Sequence, residues 1–219
     1  MQETSSPGRD HHALAAGFVS QQIHRLTNAG NESATRASLA KLRRGAGKEP
    51  GSLPELFSET LFGMPEALAG TGPEPSRGEW AIHTALTLFA LHQQGKDIKS
   101  KPMHQKGQRL GSAMRILARK PEDESRVKRR FDQVLTADSP EELAHHLRSL
   151  VQLLKAADIP LDYASLAMDL YFMQVQTARD GVRLRWGRDY YASTFTDGSD
   201  LNQETKETTE GEKENHENQ

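Results

Sequence analysis

The stretch from Trp80 to His92 is apolar on nearly every side of a helix, and it constrains the fold more than any other part of the chain. Its apolar residues occupy two faces: Ile82, Leu86, Phe89 and Ala90 lie on one, and Leu88 and Leu91 on another. A helix without a polar face is normally surrounded by other elements. Ser76 followed by Glu79 has the pattern of a capping box and predicts where this helix begins. We therefore expect a fold built around one buried central helix.

Helical periodicity recurs on both sides of that stretch. Apolar residues three and four positions apart predict helices over about residues 14–26, 33–45, 54–61, 139–157 and 162–176, with two more between residues 110 and 135. Gly181 is expected to end the helix that begins after Asp162, and the Gly- and Pro-rich residues 63–78 are expected to form a loop of low order. No segment is a convincing strand. The sequence therefore predicts an all-α fold, a helical bundle of roughly eight helices.

Charge is distributed unevenly, although the net charge of the 219 residues is only −2. From Thr194 to the end there are eight acids and two lysines, whereas residues 1–193 carry 26 bases against 22 acids. The tail, residues 194–219, has almost no apolar residue, so we expect it to be disordered. Such tails usually increase solubility; competition for the basic surface of the same chain is the alternative. Residues 1–13 are expected to be a disordered N-terminal arm.

The stretch from Lys96 to Arg130 is strongly basic. It carries twelve Lys and Arg, and no acid occurs between Ile98 and Pro121. Its helical periodicity predicts a basic loop followed by two amphipathic helices, with the charges facing solvent. Such a surface attracts polyanions, of which nucleic acid is the commonest. The candidate nucleic-acid-binding residues here are Lys106, Arg109, Arg115 and Arg119; the alternative is a solvated basic face that binds nothing in particular.

Two further basic segments lie elsewhere in the chain. The predicted helix over residues 33–45 carries Arg36, Lys41, Arg43 and Arg44, with Lys48 just after it. Near the other end, Arg183, Arg185, Trp186 and Arg188 precede Tyr190 and Tyr191. Basic residues interleaved with aromatic ones can bind a strand backbone and stack its bases. The same residues can equally form a closing helix whose aromatic side chains lie in the core.

Sequence patterns typical of enzymes, metal sites and membrane proteins are missing. The chain has no cysteine, P-loop, nucleophile elbow, HExxH motif or zinc-ligand spacing. The acidic clusters Glu122–Glu124 and Glu141–Glu142 fall at predicted helix N-termini, where they interact favourably with the helix dipole. No signal peptide or membrane-length apolar run is present. We expect a cytoplasmic binding protein with no catalytic residue, metal site, cofactor or membrane contact.

With these segments placed, the chain resembles the small subunit of the type I-E CRISPR surveillance complex Cascade, the CasB family. The resemblance runs from about Leu14 to Tyr191. The segments that carry it are Leu39–Gly47, Leu86–Gly95, Met103–His104, Arg109–Gly111, Val127–Phe131, Leu135–Ala137, Leu143–Arg148, Ile159–Tyr163 and Arg185–Arg188. Each segment alone is weak, and their order and spacing together are fairly specific.

This resemblance implies a particular fold, role and set of partners. It implies two small helical lobes, for which we expect the bounds 14–95 and 96–193. It implies a subunit that stabilises the crRNA–target assembly, binds the displaced non-target DNA strand of the R-loop and has no nuclease activity of its own. The implied partners are single-stranded DNA, the crRNA–target duplex, the large subunit and backbone subunits of Cascade, and a second copy of the protein within the complex.

Five of the nine candidate binding residues come from the resemblance: Arg43, Arg44, Arg129, Arg130 and Arg148. The other four, in the stretch from Lys96 to Arg130, come only from the charge pattern. A helical protein–protein scaffold whose basic patches bind acidic partners is the main alternative function. A hydrolase whose acids are gathered from separate elements is a weaker one.

Overall fold

A computed structural model describes residues 10–119 and 121–192, and within these ranges the fold is all-α, as predicted. It contains nine α-helices and two single-turn 3₁₀ helices, Pro54–Leu56 and Glu66–Leu68. The α-helices are α1 (His11–Asn28), α2 (Glu32–Arg44), α3 (Phe57–Thr60), α4 (Arg77–His92), α5 (Leu110–Leu117), α6 (Pro121–Thr136), α7 (Pro140–Ala156), α8 (Tyr163–Met173) and α9 (Gln176–Tyr191). None of these helices has both the length and the apolar composition needed to cross a membrane.

The expected N-terminal arm and acidic tail lie largely outside the described residues. The arm was expected over residues 1–13, but α1 begins at His11, so residues 11–13 are helical. The tail, residues 194–219, lies wholly outside. Buried apolar side chains from residues 14–95 and from residues 96–193 form one continuous cluster. The division into two lobes at residue 95 stays a prediction.

The centre of the bundle is α4, as its composition predicts. Fourteen of its sixteen residues are buried, and α1, α2, α3, α7 and α8 all contact it. The capping box is present: the Ser76 side chain accepts from the Glu79 N–H at 3.0 Å, and the Glu79 carboxylate accepts from the Ser76 N–H at 2.6 Å. The first turn of this buried helix therefore has its own hydrogen-bond partners.

The polar residues of α4 are hydrogen-bonded inside the core. The Nδ1 atom of His92 and the hydroxyl oxygen of Tyr163 are 2.8 Å apart, and both side chains are completely buried. Nε2 of His83 lies 3.3 Å from the carbonyl oxygen of Gly45. Burial lowers the pKa of both histidines, that of His92 to about 4, with a further contribution from the charge of Lys96. Both histidines are therefore core residues with hydrogen-bond partners inside the fold.

The predicted end of a helix at Gly181 is wrong. The break falls instead at Gln174 and Val175, where the backbone of Val175 is extended, and Gly181 lies inside α9. The carbonyl groups at the end of α8 accept side-chain hydrogen bonds, because Gln174 donates to the Leu170 oxygen at 2.9 Å and Arg179 to the Met173 oxygen at 2.8 Å. Polar side chains thus replace the glycine that usually ends a helix.

The start of α7 has only half of a capping box. Ser139 caps the helix and accepts from the Glu142 N–H at 3.1 Å. The Glu142 carboxylate, however, accepts from the N–H of Asp138 at 3.0 Å rather than from that of Ser139. The predicted loop over residues 63–78 also contains the 3₁₀ turn Glu66–Leu68, whose Leu68 side chain is buried.

Helices α5 and α9 come into close contact at Gly111. A Cβ atom at Gly111 would lie 2.2 Å from the backbone oxygen of Trp186 and 2.7 Å from Cβ of Asp189. At Gly181, by contrast, a Cβ atom would meet nothing within 4 Å. Glycine is therefore required at position 111, because a side chain there would clash with α9. At position 181 nothing in the fold requires glycine.

These two glycines give a matched pair of variants. We expect Gly111→Ala to destabilise the protein by about 1–3 kcal/mol, because the helices must separate. Gly181→Ala should stabilise it by about 0.5–1 kcal/mol, because alanine favours an exposed helix interior. Urea unfolding of both variants against the wild type measures these differences. A destabilising Gly181→Ala would contradict the position of Gly181 inside α9.

Acid should weaken the fold through His92. Its pKa is about 4 in the folded protein and 6.5 in the unfolded chain, so the unfolded chain binds the extra proton and stability is lost as pH falls from 6.5 towards 4. The loss reaches roughly 3 kcal/mol, since one pKa unit corresponds to about 1.4 kcal/mol. In His92→Gln we expect a smaller decline in the free energy of unfolding between pH 7 and pH 4, measured with urea. Equal declines would contradict this role.

Candidate nucleic-acid interface

The end of α2 and the middle of α7 meet at the turn after Arg44. Gly47 has a φ of 78°, and a Cβ atom there would lie 3.2 Å from Cδ of Arg148 and 3.9 Å from the carbonyl oxygen of Ala144. A glycine allows this turn because φ is positive and the arginine stem lies against it. The turn brings Arg43 and Arg44 to the same region of the surface as Arg148.

Lys155 extends this surface along α7. It follows Arg148 by seven residues, which places it two turns away on the same side of the helix, at about 10 Å. Its ammonium donates to Oε1 of Gln94 at 2.8 Å. Burial lowers the pKa of Lys155, and the neighbouring charges of Lys96 and Arg43 lower it further. These effects place four cations from α2, α7 and the loop after α4 on one surface, which we call the α2–α7 surface: Arg43, Lys96, Arg148 and Lys155.

The basic residues on and beside the α2–α7 surface differ in whether they form ion pairs. Arg43, Arg148 and Lys155 have no ion-pair partner among the described residues, whereas Arg44 pairs with Glu55 at 3.0 Å. An exposed, paired guanidinium has part of its charge cancelled locally. Arg44 is therefore a weaker candidate for binding an anion than the sequence suggests.

A groove of about 560 Å³ runs beside Arg43, between α2 and the loop that follows α4. Its charged lining residues are Glu32, Arg36, Arg43, Lys96, Asp97 and Lys99. Arg36 is paired with Glu32 at 2.6 Å. The groove is concave and carries more positive than negative charge, so it favours an anionic ligand.

Asp158 holds two of the lysines next to this surface. It follows the end of α7 with a positive φ of 56°, and its carboxylate accepts from Lys101 at 2.5 Å and from Lys96. These two hydrogen bonds lower the pKa of Asp158 to about 2. Lys96 also donates to the carbonyl oxygen of Lys155 at 2.9 Å. Asp158 therefore positions both lysines and reduces the positive charge that they present.

The residues predicted from the charge pattern lie on a different part of the fold. Lys106 and Arg109 are exposed in the loop before α5, which is fixed because the Gly107 N–H donates to Asp162 at 2.8 Å. Arg109 lies near the buried Asp169 and affects its pKa, which burial raises overall. The structure therefore does not place Arg109 beside Arg43 and Arg148.

Helix periodicity separates Arg129 from Arg130 on α6. Val127, Phe131 and Val134 are buried, and successive residues of a helix are about 100° apart. Arg130 is accordingly half-buried at the edge of the core, whereas Arg129 is exposed on the outer face. On the neighbouring α5, Arg115 is half-buried, and Arg119 is exposed just after the helix ends. None of these four arginines has an ion-pair partner in residues 10–119 and 121–192.

The basic and aromatic residues of α9 are mostly structural. Arg185 pairs with the buried Asp169, and Nε1 of Trp186 donates to the same carboxylate at 2.6 Å. Arg183 donates to the carbonyl oxygen of Ala137 at 3.1 Å. Trp186 is completely buried. Of the two interpretations left open by the sequence, a closing helix with aromatic side chains in the core is confirmed for Trp186.

No group of three or more metal-ligating side chains occurs among the described residues.

The nine candidates predicted from the sequence do not include Lys96, Lys101 and Lys155, for different reasons. Lys96 and Lys101 were counted in the basic stretch without being placed next to α7. Lys155 could have been found by its spacing of seven residues from Arg148.

A family comparison identifies the relatives of this fold. The model of the CRISPR-associated protein Cse2 family matches residues 38–191. The chain belongs to this family. The resemblance drawn from the sequence is thereby confirmed. A comparison with curated proteins gives no match.

Solved structures agree with this assignment. CasB from Thermobifida fusca is 34% identical with a TM-score of 0.66, over 81% of this chain and 98% of that one. CasB from M. ruber is 20% identical with a TM-score of 0.61, over 83% and 96%. A chain of a CRISPR RNA-guided surveillance complex is 18% identical with a TM-score of 0.63, over 86% of this chain and 99% of that one. At these lower identities the last two show similarity of fold alone.

Removing the Asp158 carboxylate should strengthen the attraction of this surface for polyanions. Asn tolerates positive φ, so Asp158→Asn keeps the turn while releasing Lys96 and Lys101. We expect the variant to elute from heparin at higher salt than the wild type. Asp180→Asn, on α9, is the control because it also removes one carboxylate, from a side chain that is 90% exposed against 45% for Asp158. Equal shifts for both variants would show that only net charge matters.

Proposed function

We propose that this Cse2-family protein is a non-catalytic, nucleic-acid-binding subunit of a Cascade-like CRISPR surveillance complex. Its role is to bind the displaced non-target strand of the R-loop and to stabilise the crRNA–target assembly. The observation that carries this proposal is the α2–α7 surface, where Arg43, Arg148 and Lys155 come together without paired carboxylates. Family membership and the fold shared with a surveillance-complex chain support the proposed setting.

The chemistry of the surface suits contacts to phosphates. Its cations come from two helices and a loop. Phosphate contacts position a strand without selecting its sequence. In an RNA-guided complex base pairing reads the sequence, so this subunit does not need to select it. R-loop formation exchanges one duplex for another of similar stability, so a few contacts to the displaced strand shift the balance.

A catalytic role is not part of the proposal. The histidines whose pKa values are shifted most clearly, His83 and His92, are buried and hydrogen-bonded within the core. A general acid or base must instead reach the proton that it transfers. The buried Asp169 is likewise occupied by Arg185 and Trp186. These groups stabilise the fold.

Protein partners are expected as well. We propose that the large subunit, the backbone subunits and a second copy of the chain contact it in the assembled complex. One observation favours the alternative scaffold function: Phe57 and Phe62 are 41% and 72% exposed on a segment that also carries Glu55 and Glu59. Exposed aromatic side chains are enriched at protein interfaces. A scaffold would use this segment and bind DNA weakly at most.

Salt-dependent binding of a labelled single-stranded DNA separates the two functions. For the wild type we expect affinity to fall steeply with salt, with a log–log slope of about −0.7 for each phosphate contact. The variant Arg43→Ala/Arg148→Ala should bind roughly tenfold more weakly at low salt, and its slope should be shallower by about 1.4. Arg44→Ala should have a smaller effect than Arg148→Ala, because Glu55 already pairs with Arg44.

Arg77→Ala is the control for this series. Arg77 is exposed at the first turn of α4, about 22 Å along that helix from its C-terminal end, so this variant changes net charge without touching the surface. Circular dichroism checks that each variant stays helical. Equal losses in Arg77→Ala and Arg148→Ala would refute the site. Weak binding that no variant alters would support the scaffold.

A further inference from the structure

The described chain ends beside α6. The ring centroids of Tyr190, near the end of α9, and Phe131 on α6 are 5.1 Å apart. Lys128 lies close enough to Tyr190 and Tyr191 to interact with their hydroxyl groups, although its raised pKa is due mainly to Asp132. The last described residues of α9 therefore lie next to α6.

The surface at this exit carries positive charge that the described residues do not neutralise. Residues 110–136 contain seven Lys and Arg and four acids, a net charge of +3. Arg126 is paired with Asp123 at 2.5 Å, and Lys128 with Asp132 at 2.7 Å. The unpaired arginines of α6 and of the end of α5 define what we call the exit surface: Arg115, Arg119, Arg129 and Arg130.

The sequence that follows has the opposite charge. Residues 194–219 carry eight acids and two lysines, a net charge of −6. We propose that this acidic segment binds the exit surface of its own chain and competes there with nucleic acid. The competition rests on the function proposed above; the binding of the segment to the surface does not.

Covalent attachment makes such a contact possible even when each ion pair is weak. The 26 residues span at most about 85–95 Å when extended, whereas α6 is about 24 Å long. A short tether gives an effective concentration in the millimolar range. An exposed ion pair contributes about 1 kcal/mol or less, so several must act together, and salt must weaken them.

The same arginines would meet DNA phosphates in the proposed complex. A strand that reaches the exit surface must displace the acidic segment, so the segment lowers affinity for any polyanion without regard to sequence. A strand with many phosphates displaces it, whereas a brief encounter with few contacts does not. The segment thus lowers weak, non-specific binding more than it lowers the binding of a strand that makes many contacts.

A paramagnetic label tests the contact without DNA. The chain has no cysteine, so Thr209→Cys provides a single site for a spin label. At low salt we expect amide relaxation to be enhanced at residues 115–130 and not in α1, and the enhancement to disappear at about 0.5 M salt, where charges are screened. No enhancement at residues 115–130, or an enhancement that salt leaves unchanged, would overturn the proposal.

Two altered tails then test the competition. One variant ends at Ser193, and the other keeps the full length with its eight acids changed to Asn or Gln. Both should bind single-stranded DNA about tenfold more tightly than the full chain at low salt, and the gain should shrink as salt rises. If the shortened chain alone binds more tightly, the effect is steric and the proposal fails.

A double-mutant cycle locates the contact. In Arg119→Ala/Arg129→Ala, removing the tail should change DNA affinity by less than twofold, because the tail has lost its binding surface. In the control Arg25→Ala/Arg77→Ala, which removes two exposed arginines of α1 and α4, the tenfold gain should remain. Equal gains in both backgrounds would place the tail elsewhere and refute the assignment. If no form binds DNA, the proposed function falls, and the spin label alone decides where the tail binds.

Discussion

Burial of α4 on all sides is the constraint on which the rest of the structure depends. A helix with no polar face is stable in water only when other elements cover it completely. Here α1, α2, α3, α7 and α8 provide that cover, so elements distant in sequence must meet around it. The convergence of α2 and α7 at Gly47 follows from this requirement, and the α2–α7 surface is a consequence of how the core is enclosed.

Buried polar groups connect this core to the charged surface. His83 fixes the turn after α2 through Gly45, and His92 is joined to Tyr163 while lying near Lys96. These hydrogen bonds offset the cost of burying polar side chains, and they hold the α2 turn and the start of the basic loop in place. The positions of the surface cations therefore depend on the buried hydrogen bonds beneath them.

The basic residues fall into separate groups with different partners. Within residues 10–119 and 121–192, Arg43, Arg148 and Lys155 have no ion-pair partner, whereas Arg185 pairs with the buried Asp169. The arginines of the exit surface, on α6 and near the end of α5, form a third group, and they have no ion-pair partner among the described residues. A count of charges along the sequence cannot separate these roles, because an arginine that binds an anion and one that stabilises a buried carboxylate look the same until the helices are packed.

The sequence by itself determined the helical fold, the central position of α4, its capping box and the family, because these depend on residues close together in the chain or on their order. The resemblance to the family also gave Arg43, Arg44 and Arg148 as candidate binding residues. Only the tertiary structure decided that Lys96 and Lys155 join them, that Glu55 partly neutralises Arg44 and that Arg109 lies elsewhere. It also corrected the helix end placed at Gly181, since Gln174 and Arg179 satisfy the carbonyl groups of α8 instead. Contacts between elements that are distant in sequence decide those outcomes, and the spacing of residues along the chain does not predict such contacts.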